Sequence, residues 1–302
     1  MTFQKMPISP KNIAVIGGGI SGLGAAHALS DTYNVTLFET ENRLGGHART
    51  ILAGKNGDQP VDTGFIVFNY ANCPELSKLF SDLNVTVVKS DMSFGASVRG
   101  GKIEYALRNF DAIFAQRKNV FNPKFIKMVW DINRFNTLGL TVADDKSITI
   151  RQFLERLKTG DWFRDYYLLP LSGAIWSTPT EKILEFPAYA MMQFFKNHAL
   201  LSRSGQHQWY TVEGGSREYV SRLENVLLKK EVDIRLSTPV ASVSRHETGV
   251  AIKTYCDEVQ MFDEVVFATH SDDTLALLTD ASPTEKQNLG CIKYQDNEVV
   301  LH

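Results

Sequence analysis

Cysteine is scarce, with three residues in 302, Cys73, Cys256 and Cys291, set far apart. An odd count without a Cys-x-x-Cys pair argues against a disulfide framework and a zinc site, and fits a reducing compartment. Neither sign of charge is in excess. Lys+Arg number 32 against 34 Asp+Glu, a net charge of −2, so no whole-chain attraction to nucleic acid is expected and no nucleic-acid partner is assigned. No stretch approaches the roughly 18 apolar residues of a membrane span. Met1–Lys11 carries no apolar core of a secretory signal. A soluble, cytoplasmic protein is expected, with peripheral membrane contact left open. Other chemistries lack their signatures: no G-x-S-x-G elbow, no Walker loop, no H-E-x-x-H, and no ligand spacing among the seven histidines. Hydrolase readings find no support, and no metal site is expected.

What is present begins at Asn12-Ile-Ala-Val-Ile16, a short β-branched apolar run that reads as a buried parallel strand. Gly17-Gly-Gly-Ile-Ser-Gly22 follows at once, and Gly17, Gly19 and Gly22 satisfy G-x-G-x-x-G. The next stretch, from Ile20 to Ser30, is rich in alanine and leucine at helical spacing. Strand, glycine turn and helix therefore stand in the order that a dinucleotide site needs. Gly17 permits the tight turn, Gly19 lets the backbone approach a pyrophosphate, and Gly22 lets helix and strand pack closely. The unpaired N–H groups at the helix start, around Ile20 and Ser21, then face phosphate charge with a favourable dipole. A second strand, Asn34–Phe38, ends in Glu39, about twenty residues after the glycines, where a carboxylate accepts ribose hydroxyls. An acid there disfavours a 2′-phosphate.

Arg43-Leu-Gly-Gly-His-Ala-Arg-Thr50 comes just after Glu39. It resembles the R-x-G-G-[R/H]-x-x-T element of the flavin-containing amine oxidase and phytoene desaturase superfamily, which plain NAD dehydrogenases lack. The resemblance implies FAD as cofactor. Gly45 and Gly46 let the chain pass close to it, with His47 in the same element, while Arg43 and Arg49 offer guanidinium groups to phosphate or ribose oxygens. Val61-Asp-Thr-Gly-Phe65 matches the D-x-G segment that runs beside the flavin ring in this superfamily, which implicates Gly64 and Phe65. Thr211-Val-Glu-Gly-Gly-Ser-Arg217 resembles the glycine pair that brings the chain back to the FAD domain before a helix. Ile234–Val240 is similar to the strand and turn whose Val240 backbone would meet the adenine. Phe262–His270, with Ala268, is similar to the strand that closes over the nucleotide region.

The segments between are distinctive. Ser90–Gly95, Phe114–Pro123, Leu169–Pro179 and Asn197-His198 before Gln208-Trp209 resemble bacterial FAD-binding proteins of this superfamily and the amino-terminal oxidase-like domain of plant cyclopropane fatty acid synthases. That resemblance implies lipid metabolism, since in plants the domain is fused to a lipid methyltransferase. Phe121, Phe125, Val129, Ile132 and Phe135 recur at helical spacing among Lys118, Lys124, Lys127 and Arg134. An ordinary core-packed helix is the favoured reading, and one resting on an anionic membrane surface the alternative. His198 and His270 are read as satisfied structural residues, and His27 on the nucleotide helix as inert.

The expected architecture is α/β: a glutathione-reductase-like, Rossmann-type FAD-binding domain with an inserted, largely helical substrate domain. FAD-domain segments are expected at 1–70 and 211–289, substrate-domain segments at 71–210 and from 290 to 302. In the superfamily a further pass through the substrate domain and a last FAD-contacting stretch follow, so a carboxy-terminally truncated form is expected, its catalytic residues lying past the chain end. The expected function is that of an FAD-dependent oxidoreductase, a dehydrogenase, desaturase or isomerase acting on a lipid acyl chain. A flavin amine oxidase and a non-catalytic FAD-binding partner of a lipid methyltransferase are the alternatives. None of these roles assigns a catalytic residue.

Overall fold

The computed structural model describes residues 10–176, 180–201 and 207–294; parts of two segments singled out above, residues 177–179 and 295–302, lie outside them. Strand β1 (Asn12–Ile16), helix α1 (Ile20–Leu29) and strand β2 (Asn34–Phe38) follow in the expected order. Their alternation explains their near-complete burial. Val15, Val35 and Leu37 enter one core together with Leu23 and Ala26 of α1, whereas Ala14, Ile16 and Phe38 enter a second core on the opposite face. Successive strand side chains point to opposite faces, so a strand without a polar face must be covered on both.

The chain continues through the hairpin β3 (Thr50–Ala53) and β4 (Gln59–Asp62) into helix α2 (Pro74–Asp82). Phe80 and Leu83, at the end of α2, pack into the core shared with α1. The nucleotide-side core thus continues past residue 70. Strand β5 (Val87–Ser90) and the hairpin β6 (Gly95–Val98) and β7 (Ile103–Ala106) come next.

A helical stretch follows: α3 (Phe110–Ile113), a 3-10 turn at Arg117–Phe121, α4 (Pro123–Val142), α5 (Ile150–Leu157) and α6 (Asp161–Phe163). A π-helical turn at Arg164–Leu168 leads into α7 (Leu169–Trp176), α8 (Thr180–Ile183) and α9 (Ala188–Asn197). Local signals start these helices. Asn122 caps α4 by accepting from the N–H groups of Lys124 and Phe125, with Pro123 in the first turn, and Thr149 with Gln152 forms a capping box at α5. The inward faces build a separate aromatic core, in which the rings of Phe153, Phe163, Tyr167 and Phe195 surround Phe135. Burial raises the phenol pKa of Tyr105 and Tyr167 there.

Strand β8 (Trp209–Val212) returns antiparallel to β5 and delivers the chain to α10 (Arg217–Lys229). The remaining elements are β9 (Asp233–Arg235), β10 (Val240–His246), β11 (Gly249–Thr254), β12 (Val259–Phe262), β13 (Glu264–Phe267), α11 (Ser271–Leu277) and α12 (Pro283–Gly290). Strands β13, β1, β2 and β9 form a parallel four-stranded sheet in that order. Tyr219, Val220, Leu223 and Leu227 of α10 join α1 on one face, and the antiparallel sheet β10–β11–β12 covers the other through Val240, Val243, Ile252 and Phe262.

Ile234–Val240 runs as strand and then turn, and Phe262–His270, expected as one strand, is broken. Between β9 and β10 the N–H groups of Ser237 and Thr238 donate to the carbonyls of Glu41 and Glu39, and Ser237 takes φ +50°, so the chain leaves the sheet. Between β12 and β13, Asp263 exchanges hydrogen bonds with the Asn12 backbone, turning the chain from the antiparallel sheet into the parallel one.

Candidate functional site

The carboxyl ends of β1, β2 and β13 meet at one edge of the parallel sheet, where open α/β folds place ligands. The Gly17 N–H donates to the Phe38 carbonyl at 2.8 Å, and the Ala268 N–H to the Ile16 carbonyl at 2.8 Å. Gly17 adopts φ +104°, and a side chain there would run into the Ala268 carbonyl. A Cβ at Gly22 would overlap the Gly17 carbonyl oxygen. Packing within the protein therefore requires both glycines.

Gly19 differs. A Cβ there would meet nothing nearer than the Gly46 Cα, at 4.0 Å. Nothing in the chain itself demands glycine at this position, so the open space beside it is a cradle that a side chain would fill. Gly19 is also the N-cap of α1; no side chain caps this helix and its first turn holds no acid. The N–H groups near Ile20 and Ser21 thus carry the positive end of the dipole toward that space, and Ile20 is exposed beside it. These features fit a diphosphate.

Glu39 sits under the loop. Its Oε2 accepts from the Gly18 N–H at 2.6 Å and its Oε1 from the Glu41 N–H at 2.8 Å. An ionised carboxylate has about four acceptor positions, so each oxygen retains capacity for a ribose hydroxyl. The Arg43–Thr50 loop docks on the same turn, with the Gly45 N–H donating to the Gly18 carbonyl at 2.9 Å. Gly46 comes so close to Gly19 that a Cβ on it would lie 3.1 Å from the Gly19 Cα. Arg43 points into its own loop: it donates to the carbonyls of Leu44 and Gly46 and pairs with Glu41 at 3.0 Å. Its guanidinium thereby holds the glycine pair in shape. Arg49 is exposed.

His47 is exposed and stacks on His270 at 5.8 Å, and His270 in turn stacks on Tyr294 at 4.3 Å. Gly64 lies against the same loop, since a Cβ there would overlap the His47 carbonyl. The Phe65 ring packs into the aromatic core with Phe68, Phe80 and Tyr219. Val240 starts β10 with its side chain buried, just after the turn held by the Glu39 and Glu41 carbonyls. The Gly17–Gly22 turn, Glu39, Gly45, Gly46 and Ala268 thus stand together at the carboxyl edge of the sheet, whereas the side chains of Phe65 and Val240 pack into cores.

Asp62, Thr50 and Ser216 complete the framework. Asp62 Oδ1 accepts from Thr50 Oγ1 at 2.6 Å and from the Ser216 hydroxyl at 2.7 Å, and also takes the Ser216 N–H at 2.9 Å. This carboxylate sits at the start of α10 and joins the two halves of the nucleotide region. Burial, with the Asp62 charge second, pushes the neighbouring Tyr219 up to about 12. Its signal in the sequence is the acid of the D-x-G segment together with a serine ahead of a helix. Two other histidines lie elsewhere. His198 donates from Nδ1 to the Phe194 carbonyl and stacks between Phe194 and Trp209; half-buried His27 is lowered in pKa by burial and then by Lys230.

The family described as flavin containing amine oxidoreductase matches residues 20–289. The chain is 39% identical over 83 residues to coproporphyrinogen III oxidase of Mycobacterium bovis, a match covering 26% of this chain and 18% of that protein. Its fold is similar to cyclohexylamine oxidase from Brevibacterium oxydans, with a TM-score of 0.70 and 20% identity over 93% of this chain and 63% of the other. It is also similar to a CLA-producing fatty acid isomerase from P. acnes, with a TM-score of 0.55 and 15% identity over 93% and 63%. The chain thus spans under two thirds of the length of these proteins. With the matched region covering most of its length, the chain belongs to the flavin containing amine oxidoreductase family and has FAD as its cofactor.

Proposed function

We propose that this chain is the nucleotide-holding part of an FAD-dependent oxidoreductase that dehydrogenates, desaturates or isomerises a lipid acyl chain. The observation that carries the redox reading is the convergence of Gly19, Glu39, Gly46 and Ala268 on one crevice whose glycine cradle no protein atom fills. Bound FAD supplies the hydride or electron transfer. The chain's residues bind and orient. The N–H groups at the start of α1 would hold the diphosphate, Glu39 would accept ribose hydroxyls, the main chain at Val240 would serve the adenine, and the Gly64–Phe65 backbone would serve the flavin end. The Asp62 carboxylate holds that last segment against α10.

The lipid substrate is supported by the resemblance of Ser90–Gly95, Phe114–Pro123 and the segment after Leu169 to the oxidase-like domain of plant cyclopropane fatty acid synthases. Fold similarity to a fatty acid isomerase agrees with it. A flavin amine oxidase is the second reading, favoured by the family's name and by the likeness to cyclohexylamine oxidase. Anaerobic titration of the FAD-loaded protein with acyl lipids and with amines tests both. Bleaching of the flavin by acyl lipid alone is the expected result, and bleaching by amines alone reverses the substrate assignment. Flavin that neither reduces, in a protein forming a stable complex with a lipid methyltransferase, would leave a binding role only.

A further inference from the structure

The apolar stripe of α4 is divided by the fold. Phe125 and Phe135 point into the aromatic core, as the core-packed reading expects. Other large apolar groups of this region stay in solvent: Phe121 is 88% exposed, Trp130 70%, Val120 46%, and Phe110 on α3 76%. Phe121, Val120 and Trp130 line a single shallow groove of about 480 Å³ with Pro123, Ile126 and Lys127. Scattered exposed apolar residues are ordinary, but a contiguous aromatic patch marks an interaction surface.

Charge identifies what the patch meets. From Arg108 to Arg134 the chain carries six Lys and Arg residues against two Asp, although the whole protein is slightly acidic. Both acids are engaged: Asp111 pairs with Arg117, and buried Asp131 takes Lys127 at 2.8 Å and the Gly160 N–H at 2.9 Å. Lys118, Lys124 and Arg134 are exposed and make no ion pair among the described residues. Aromatic side chains flanked by exposed cations match the boundary of an anionic bilayer, where rings enter the headgroup layer and Lys and Arg meet phosphate. No helix among the described residues is long and apolar enough to cross a membrane.

We propose that this face docks peripherally on anionic lipid bilayers, with Phe121 and Trp130 entering the interface and Lys118, Lys124 and Arg134 facing lipid phosphates. The inference is independent of the substrate assignment. The test is co-sedimentation of the 302-residue chain with phosphatidylcholine vesicles, with and without phosphatidylglycerol. Binding that needs phosphatidylglycerol and weakens as salt rises is expected. Phe121→Ser should weaken it about tenfold, since it removes an aromatic side chain that transfers favourably out of water. The double variant Lys118→Glu with Lys124→Glu should abolish the preference for anionic lipid. All three side chains are exposed, so thermal unfolding should stay unchanged in both variants. Absence of binding to anionic vesicles, or wild-type binding by both variants, would overturn the proposal. So would a dimer of the wild-type chain that Phe121→Ser dissociates, because the patch would then be a contact between copies.

Discussion

Asp62 takes both the backbone N–H and the hydroxyl of Ser216, at 2.9 and 2.7 Å, across 154 residues of chain. Thr50 Oγ1 donates to the same carboxylate and accepts from the Arg217 N–H at 3.0 Å. One acid thereby caps α10 and ties it to the β3–β4 hairpin. Asp62→Asn keeps the shape but removes the charge facing the helix dipole and replaces one acceptor oxygen by an amide donor. We expect a loss of about 1–2 kcal/mol, read from the midpoint of chemical unfolding. An unchanged midpoint would refute the cap.

Gly19 and Gly22 separate cofactor binding from folding. Gly19→Ala puts a methyl group where the protein has no atom within 4 Å other than Gly46 Cα. Its stability should change by no more than about 1 kcal/mol, the scale of an N-cap substitution, while FAD affinity falls at least tenfold. Gly22→Ala should lower stability by more than about 2 kcal/mol, because its Cβ overlaps the Gly17 carbonyl. Wild-type FAD affinity in Gly19→Ala would remove the diphosphate from this crevice.

For Glu39 the structure adds a second duty to the ribose role. Both oxygens already hold backbone N–H groups of the turn, so Glu39→Ala frees the loop as well as the ribose. A drop in FAD affinity of about 1–3 kcal/mol is expected from the bonds to a charged group, accompanied by lower stability without FAD. Calorimetric titration with FAD and thermal unfolding of the free protein read the two effects. Unchanged affinity would sink the ribose assignment.

Acid should loosen α12 before the rest of the molecule. Arg245 on β10 grips Glu285 through both oxygens and Asp280 at 2.9 Å. That guanidinium, followed by the Ser282 N–H, holds Glu285 at about 2, below its ordinary 4.5. A carboxylate depressed in the folded state favours folding above its unfolded pKa, and the contribution fades as pH falls from about 4.5 toward 2. Hydrogen-exchange protection of α12, taken relative to the intrinsic amide rate, should therefore fall across that window in the wild type. In Glu285→Gln the protection should be low already at pH 6 and change less on acidification. Equal pH dependence in both would refute the clamp.

The local part of the site was legible without coordinates. Strand, glycine turn, helix and the carboxylate after the second strand write themselves in sequence because each depends on neighbours: alternation buries Ala14 and Val15 on opposite faces, and only glycine fits beside the Gly17 carbonyl. Even so, Glu39 hides its grip on the turn, and Arg43, readable as a phosphate ligand, folds back on its own loop. Tertiary structure decided what distance in sequence conceals. Asp62 could not be matched to Ser216 from either segment alone, and His47 meets His270 only because the parallel sheet aligns the ends of β1 and β13. Helical spacing places Phe121 and Phe125 on one stripe, yet one lies in solvent and the other in the core. Periodicity states which side chains share a face; only the elements packed around that face determine how much of it water reaches.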